Sequence, residues 1–383
     1  MAPPPLLLWL PLLVGLAAAS SGPIEPSGVS VVAAAACDEG EAFRPCTAME
    51  IVGGGARSTF ANTCPCPYID GVTGGPGPRR VFSLEVRSVL LPSLVPGLSK
   101  VHVTANGTIP GPAIVVDEGD WVEIAVSNRM ATKETTMHWH GQLQVMTPFQ
   151  DGVPSMTQCA ILPGETVVYA FRASNAGTFW YRGHTLEQYT DGLFGLLQVR
   201  AAPGSSQDLK SSAAGATDSE VFIFLHDYYN NHAHELLSLH FLTPESGGAE
   251  PVPDAIYANG RQSGALFMPV PSRTSKTLVH VIAATALSMF RVSVDGVNLQ
   301  VVEVDSTVVV PLTVPSFTLN IAQRVSFVVD WATLTLPPGS SAGAGVFFRA
   351  SAMAEMYGLL ANTLRLKCAA PHRERRPSSL RYA

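Results

Sequence analysis

The 383-residue sequence predicts an all-β protein made of two β-sandwich or barrel domains. Three observations carry that expectation. Short runs rich in Val, Ile, Thr and aromatic residues recur along residues 79–200 and again along 220–352, each bounded by Pro, Gly, Asn or Asp; such residues fit a pleated, half-buried surface. Helical periodicity is scarce, with one short helix expected within residues 231–242. The 33 Gly and 30 Pro are about one residue in six, above the ~12% average and below the ~25–30% of low-complexity chains. At about 150 residues per domain the length allows two or three domains.

The elements follow in chain order. Residues 1–20 read as a signal peptide. The stretch PLLLWLPLLVGLAA at 5–18 is an apolar core interrupted by Pro11, with small residues leading to a cleavage point near Ala18 to Ser20. It is shorter than the ~20 residues a spanning helix needs; an uncleaved anchor is the alternative. No later apolar run is long enough to span a bilayer, so the protein is expected to be secreted. Residues 21–78 form a Cys-rich, largely irregular leader with Cys37, Cys46, Cys64 and Cys66. With Cys159 and Cys368 the count is six, an even number that reads as disulfide-bonded in a secreted chain. A zinc site is the alternative, but the leader lacks the paired spacing and nearby His that zinc favours.

Residues 79–200 form the first sandwich, 201–219 a polar linker and 220–360 the second sandwich. Asp295-Gly296, inside VDGVNLQVVEVD, reads as a hairpin-type turn. Asn106-Gly107-Thr108 is either a glycosylation sequon or a tight turn. Residues 361–383 are basic and unpatterned, expected as a disordered tail, with a partner-binding tail as the alternative. The net charge of −6, from 24 basic and 30 acidic residues, argues against a nucleic-acid partner. A charged fraction of 14% excludes a highly charged disordered chain.

The chemistry concentrates in histidines. On a strand, His138 and His140 of His138-Trp139-His140 point to the same face, so two imidazoles can converge on one metal ion or on two adjacent ions. Farther along comes Thr178-Phe179-Trp180-Tyr181-Arg182-Gly183-His184. Imidazole suits copper and zinc, and no nearby carboxylate triad points to non-haem iron.

Here the residues resemble a family. HWHG, DGVP, TQC, GTFWY and DGLFG, in the order and spacing found between residues 137 and 199, resemble the first domain of laccase-like multicopper oxidases, and VTANGTIPGPAIVVDEGDWVEIAVSN resembles its opening strands. Residues from MFRVSVDG to FVVDW resemble, more loosely, the second domain. The Cys-rich leader is similar to that of animal laccases. The resemblance covers about residues 80–360 and implies two cupredoxin-like Greek-key sandwiches. It further implies copper-dependent oxidation of phenolic or similar small reducing substrates, coupled to reduction of O2 to water. Carried over residue by residue, it implies His138 as a type 2 copper ligand and His140 and His184 as type 3 ligands. Asp151 matches an acidic residue that helps deliver protons, with a plain turn residue as the alternative. Trp139 and Trp180 are expected to pack around the histidines.

The sequence departs from the family in two places. Arg182 stands where a type 3 ligand is expected, and a guanidinium has no free lone pair to ligate. At about 4 Å and an effective dielectric near 20, its repulsion with each unit charge of a cation is ~4 kcal/mol. Arg182 is therefore expected to turn outward, unless the cluster is absent or remodelled. A type 1 copper also needs a Cys thiolate with two His, and no His-Cys-His occurs. Cys368 has His372 but no upstream His partner and no strand expected around it, and Cys159 reads as a disulfide half. His226, His232, His234 and His240 are expected to face loops or solvent. The last domain is expected to be missing from this chain, leaving a trinuclear site to be completed by that domain or by a second subunit. The alternative is a secreted, non-catalytic pair of sandwiches that acts through its surface.

Overall fold

A computed structural model describes residues 78–93, 99–210, 217–262, 268–269, 275–335, 346–353 and 363–369. The expected signal peptide and Cys-rich leader lie outside the described residues, apart from residue 78. No described helix is long and apolar enough to cross a membrane.

Eight strands span the first region: β1 (Arg79–Pro92), β2 (Ser99–Ala105), β3 (Gly111–Asp117), β4 (Trp121–Asn128), β5 (Met137–His140), β6 (Thr166–Arg172), β7 (Gly177–Gly183) and β8 (Phe194–Arg200). They form two four-stranded sheets, ordered β2-β1-β4-β6 and β3-β8-β7-β5. The sheets meet across one apolar core, with Val122, Ile124 and Val126 from the first and Trp139, Phe179, Tyr181 and Leu197 from the second. Strand β4 shows why: buried and half-buried residues alternate strictly along it, as a strand with one face on a core requires. Parallel pairing of β1 with β4 and of β3 with β8 marks Greek-key crossovers between the layers.

Twelve strands follow: β9 (Ser219–Tyr228), β10 (Ala255–Ala258), β11 (Arg261–Gln262), β12 (Met268–Pro269), β13 (Lys276–Ala283), β14 (Phe290–Val294), β15 (Leu299–Val304), β16 (Thr307–Val314), β17 (Phe317–Leu319), β18 (Arg324–Asp330), β19 (Val346–Ala352) and β20 (Thr363–Ala369). A seven-stranded sheet, β11-β10-β9-β13-β18-β15-β16, covers a five-stranded one, β12-β20-β19-β14-β17. Val279, Val281, Phe290, Phe327 and Phe348 are among the side chains that fill the space between them. The fold is all-β and cupredoxin-like, as the sequence predicts. The expected short helix is there too, at Ala233–Leu236, with its first amide donating to the Asp191 carboxylate.

Two local expectations are corrected. The turn at Asp295-Gly296 does not close a hairpin: β14 and β15 enter different sheets. Arg349 grips the Asp295 carboxylate at 2.6 and 2.7 Å, and Thr335 N donates to Gly296 O at 2.8 Å, so the turn is a corner between layers. The region expected as a disordered tail begins with a strand instead. β20 pairs antiparallel with β19 from Thr363 to Cys368. Its sequence, TLRLKCA, alternates apolar and charged residues with the period of two of a β-strand. Residues 370–383 lie outside the described residues.

The two sandwiches share an apolar seam. Trp180, Phe194 and Leu196 from the first meet Phe224, Ile282 and Ala284 from the second. A polar clasp sits beside it. Thr178 O accepts from Arg324 Nε at 3.0 Å and from Ser306 Oγ at 2.9 Å. The clasp holds β7, which carries Trp180 and Arg182, and β7 in turn pairs with β5.

Candidate metal centre

The antiparallel register of β5 and β7 sets His138 opposite Arg182 and His140 opposite Trp180. Because side chains alternate across a strand, these four project from one face, and Trp139 and Tyr181 project from the other into the core. The His138 and His140 rings lie 5.5 Å apart and the His138 and His184 rings 5.1 Å apart, centroid to centroid, each pair edge-on. His184 follows the end of β7 and returns to the group, its amide donating to Thr136 O at 3.3 Å.

The loop after β5 supplies the carboxylate. It passes through a short 3-10 turn at Pro148–Gln150 and reaches Asp151. Its path is tight against β5: a Cβ on Gly152 would stand 1.8 Å from Met137 O, and Gly152 has φ +81°, so only glycine fits. His138 Nδ1 then lies 2.8 Å from Asp151 O and 3.2 Å from Asp151 Oδ1. A backbone carbonyl can only accept, so Nδ1 carries a proton, and in the neutral tautomer that this selects the lone pair is on Nε2. The His138 hydrogen bond also holds the Asp151 carboxyl below the ordinary carboxylate range, against the opposing effect of burial.

His140 is held neutral. Burial pushes its pKa down to about 3, and Arg324, His138 and Arg182 push the same way. His184 is lowered by burial and then by Arg182. His140 Nδ1 is buried with no hydrogen-bond partner. Neutral imidazoles with unpartnered nitrogens are the donor set that copper takes. The residues therefore fit copper as a partial ligand set. Among the described residues no group of three or more His, Cys, Asp or Glu side chains is arranged to hold one metal ion.

Several expectations change on contact with the geometry. Trp180 does pack on His140, at 5.2 Å between ring centroids. Trp139 does not line the histidines; its neighbours are Tyr169, Phe171 and Tyr181 in the core, because odd and even strand positions face opposite ways. Arg182 does not turn outward. It lies largely buried, with its guanidinium 4.9 Å from the Tyr189 ring centroid and 5.8 Å from that of Trp180, where cation–π attraction holds it. His226 is buried rather than solvent-facing, packed on Phe194 and Tyr257, and burial lowers its pKa to about 4. His232 is half-buried beside Asp191, and His234 and His240 are exposed. Cys159 is exposed, with no disulfide partner among the described residues. It lies in a solvent-facing loop, and the leader cysteines fall outside the described residues. The Asn106-Gly107 step is a tight turn with both residues at positive φ, and Asn106 Oδ1 accepts from Glu85 N at 2.6 Å.

Two contributors escaped sequence reading. Tyr189 seats Arg182, and its only signal was an aromatic five residues after His184. Arg324, from the second sandwich, reaches across the seam to press on His140, and nothing near it in sequence announces that. The segment that follows β5 carries exposed apolar side chains: Leu143 and Met146 are 65% and 67% exposed, and Phe149 and Met156 are exposed as well.

A Greek-key sandwich that brings two imidazoles of one strand and a third from just past the end of its neighbour to a shared face, with the Asp151 carbonyl orienting one ring, has the fold of the cupredoxin class and a partial donor set that fits copper. Comparison with known proteins then identifies the family. Residues 93–204 and 219–335 each match a family model described as multicopper oxidase. Laccase-1 of Botryotinia fuckeliana is 32% identical over 256 residues, covering 66% of this chain and 43% of that protein. Laccase-2 of Fomitopsis schrenkii is 34% identical over 285 residues, covering 71% of this chain and 51% of that protein. The crystal structure of the laccase from Botrytis aclada superposes with a TM-score of 0.65 at 27% identity, covering 80% of this chain and 56% of that one. This chain belongs to the laccase-like multicopper oxidase family. It spans about half the length of the relatives it matches.

Proposed function

We propose that this protein acts as a laccase-like multicopper oxidase, oxidising phenolic or similar small reducing substrates and passing the electrons to O2. The observation that carries the reading is the shared face of His138, His140 and His184, with unpartnered nitrogen on His140 and a lone pair left on His138 Nε2. His138 would hold copper through Nε2, His140 through Nδ1, and His184 would complete this chain's share, with His138 in the type 2 role and the other two in the type 3 role. Copper, when bound, supplies one-electron chemistry and the centre at which O2 is reduced. The chain's own groups do the rest. Asp151, kept ionised beside His138 Nδ1, orients that ring and is placed to pass protons toward the face. Trp180 and the seam behind it exclude water from His140.

The reading includes partners. Within these 383 residues no His-Cys-His is present to form an electron-entry site, so a further domain or a second subunit supplies it in this proposal. The exposed apolar side chains of Leu143, Met146, Phe149 and Met156, in the segment that follows β5, support a protein surface docking on this part of the chain. Secretion is proposed from the apolar segment at residues 5–18. No observation favours the non-catalytic alternative.

The test is copper content and oxygen uptake. The transcript is sequenced through and past codon 383, and the encoded protein is assayed for copper per chain and for O2 consumption with a diphenol. Copper-dependent uptake that disappears in His140→Ala supports the proposal. Uptake unaffected by loss of His138, His140 and His184 together sinks it.

A further inference from the structure

The turn between β2 and β3 carries the chain's one Asn-x-Ser/Thr tripeptide, Asn106-Gly107-Thr108. The fold accounts for two of its residues. Asn106 and Gly107 have φ of 53° and 83°, and Thr108 N donates back to Ala105 O at 3.3 Å. A tight turn with two left-handed central residues selects Asn-Gly. It asks nothing of the third residue. The Thr108 hydroxyl reaches only Ala105 O, at 3.5 Å, beyond the ordinary hydrogen-bond range.

The turn also orients the Asn106 carboxamide. Asn106 is exposed. Its Oδ1 accepts from Glu85 N at 2.6 Å, and its own amide donates to Glu85 O at 2.8 Å. With the oxygen committed to β1, Nδ2 on the other side of the same carbon donates to no group among the described residues. The neighbouring space is open: a Cβ on Gly107 would meet nothing within 4 Å.

We propose that Asn106 Nδ2 is the attachment point of an N-linked glycan. The donor is an oligosaccharide diphosphate carried on a lipid. Nδ2 bonds to the anomeric carbon and gives up one proton. The bond from that carbon to the diphosphate oxygen breaks, and the lipid diphosphate leaves with the electron pair. Nothing is oxidised or reduced. Oδ1 remains a carbonyl oxygen, so the bond from Glu85 N and the turn survive the modification. Thr108 is then explained as the hydroxyl residue of the acceptor tripeptide. The proposal rests on export of the chain, read from the apolar segment at residues 5–18, and is independent of copper.

The full chain is expressed in a eukaryotic secretory host, once as it stands and once with an established secretory leader in place of residues 1–20. Peptide mapping by mass spectrometry reads the Asn106 peptide from each. A hexosamine-linked glycan on Asn106 is expected, released by peptide-N-glycosidase. Asn106→Asp keeps an oxygen for Glu85 N and removes the acceptor nitrogen; Thr108→Ala leaves the turn residues untouched. Both should lose the glycan completely, with circular-dichroism spectra matching that of the deglycosylated wild type. A glycan found only with the substituted leader supports the acceptor and rejects the export reading. A wholly bare Asn106 in both chains overturns the proposal, as does a modification that persists in Thr108→Ala. If one variant fails to fold, the other and the wild-type peptide map decide.

Discussion

His138 Nδ1 lies 2.8 Å from the carbonyl oxygen of Asp151, and the same residue's carboxylate stands 3.2 Å away. One residue thus orients the imidazole twice, once through the backbone and once through the side chain. Asp151→Asn removes the charge but leaves the carbonyl, so the ring keeps its tautomer. Copper affinity, measured by competition with a chelator, should fall by about tenfold, the lower end of the range for loss of a group behind a metal ligand. An unchanged affinity would remove Asp151 from the site.

The three imidazoles are predicted to account for the chain's copper. Replacing His138, His140 and His184 together with Ala should remove stoichiometric copper, read by elemental analysis on protein whose melting curve matches the wild type. Retention of the metal would assign it elsewhere.

The chain reconstituted with copper should lack the intense blue thiolate absorption. Cys159 is exposed, in a loop with no histidine pair, and no His-Cys-His occurs. A blue band would show that a cysteine of this chain completes a type 1 site.

Stability should depend on pH through the seam. His280, fully buried, lies 2.8 Å from Thr178 Oγ1 and 3.0 Å from Glu220 Oε1, with Glu303 Oε2 at 3.8 Å. Burial alone would lower its pKa, but Glu220 and Glu303 outweigh that and raise it; both carboxyls are in turn lowered, against their own burial, by His280. A raised histidine stabilises the fold fully below its unfolded pKa of about 6.5, and the gain is lost as pH rises through the folded value. The lowered glutamates contribute above about 4.5 and lose it as pH falls through their folded values. The contribution is therefore largest between about pH 4.5 and 6.5. His280→Gln should cost about 3 kcal/mol there, as loss of one partner of a buried ion pair does. The deficit should shrink as pH rises above that window. Denaturant melts at pH 5.5 and 8.5 check it; an equal deficit at both rejects the charged pair.

Gly152→Ala should destabilise by at least about 2 kcal/mol, since it combines a left-handed backbone with a clash on a main-chain oxygen. It should also weaken copper binding, because Asp151 moves with it. Full copper affinity in a folded variant would show that the Asp151 loop does not set the site.

Much of this was legible in advance. Alternation over short runs announced the sheets, and His138-Trp139-His140 announced a shared face because a period of two is a local property. Trp139 shows the limit of the same rule: adjacent to two candidate ligands in sequence, it belongs to the opposite surface. The strand at Thr363–Ala369 was readable from its alternation but was masked by its basic residues. The Asp295-Gly296 turn could not be assigned from its residues alone, since a hairpin and a corner between sheets use the same dipeptide, and only Arg349 and Thr335 select the corner.

The sequence alone determined the fold class, the family and the donors that could meet copper, because strand period and side-chain chemistry are written residue by residue. Only the tertiary structure decided what those donors experience. Arg182 was expected to leave the site, yet the Tyr189 ring holds it in place. His140 was an ordinary imidazole on paper, yet burial and Arg324, from across the seam, keep it neutral down to about pH 3. Burial and long-range charge depend on which distant residues the sheets bring together, and that is set by packing rather than by neighbours in the chain.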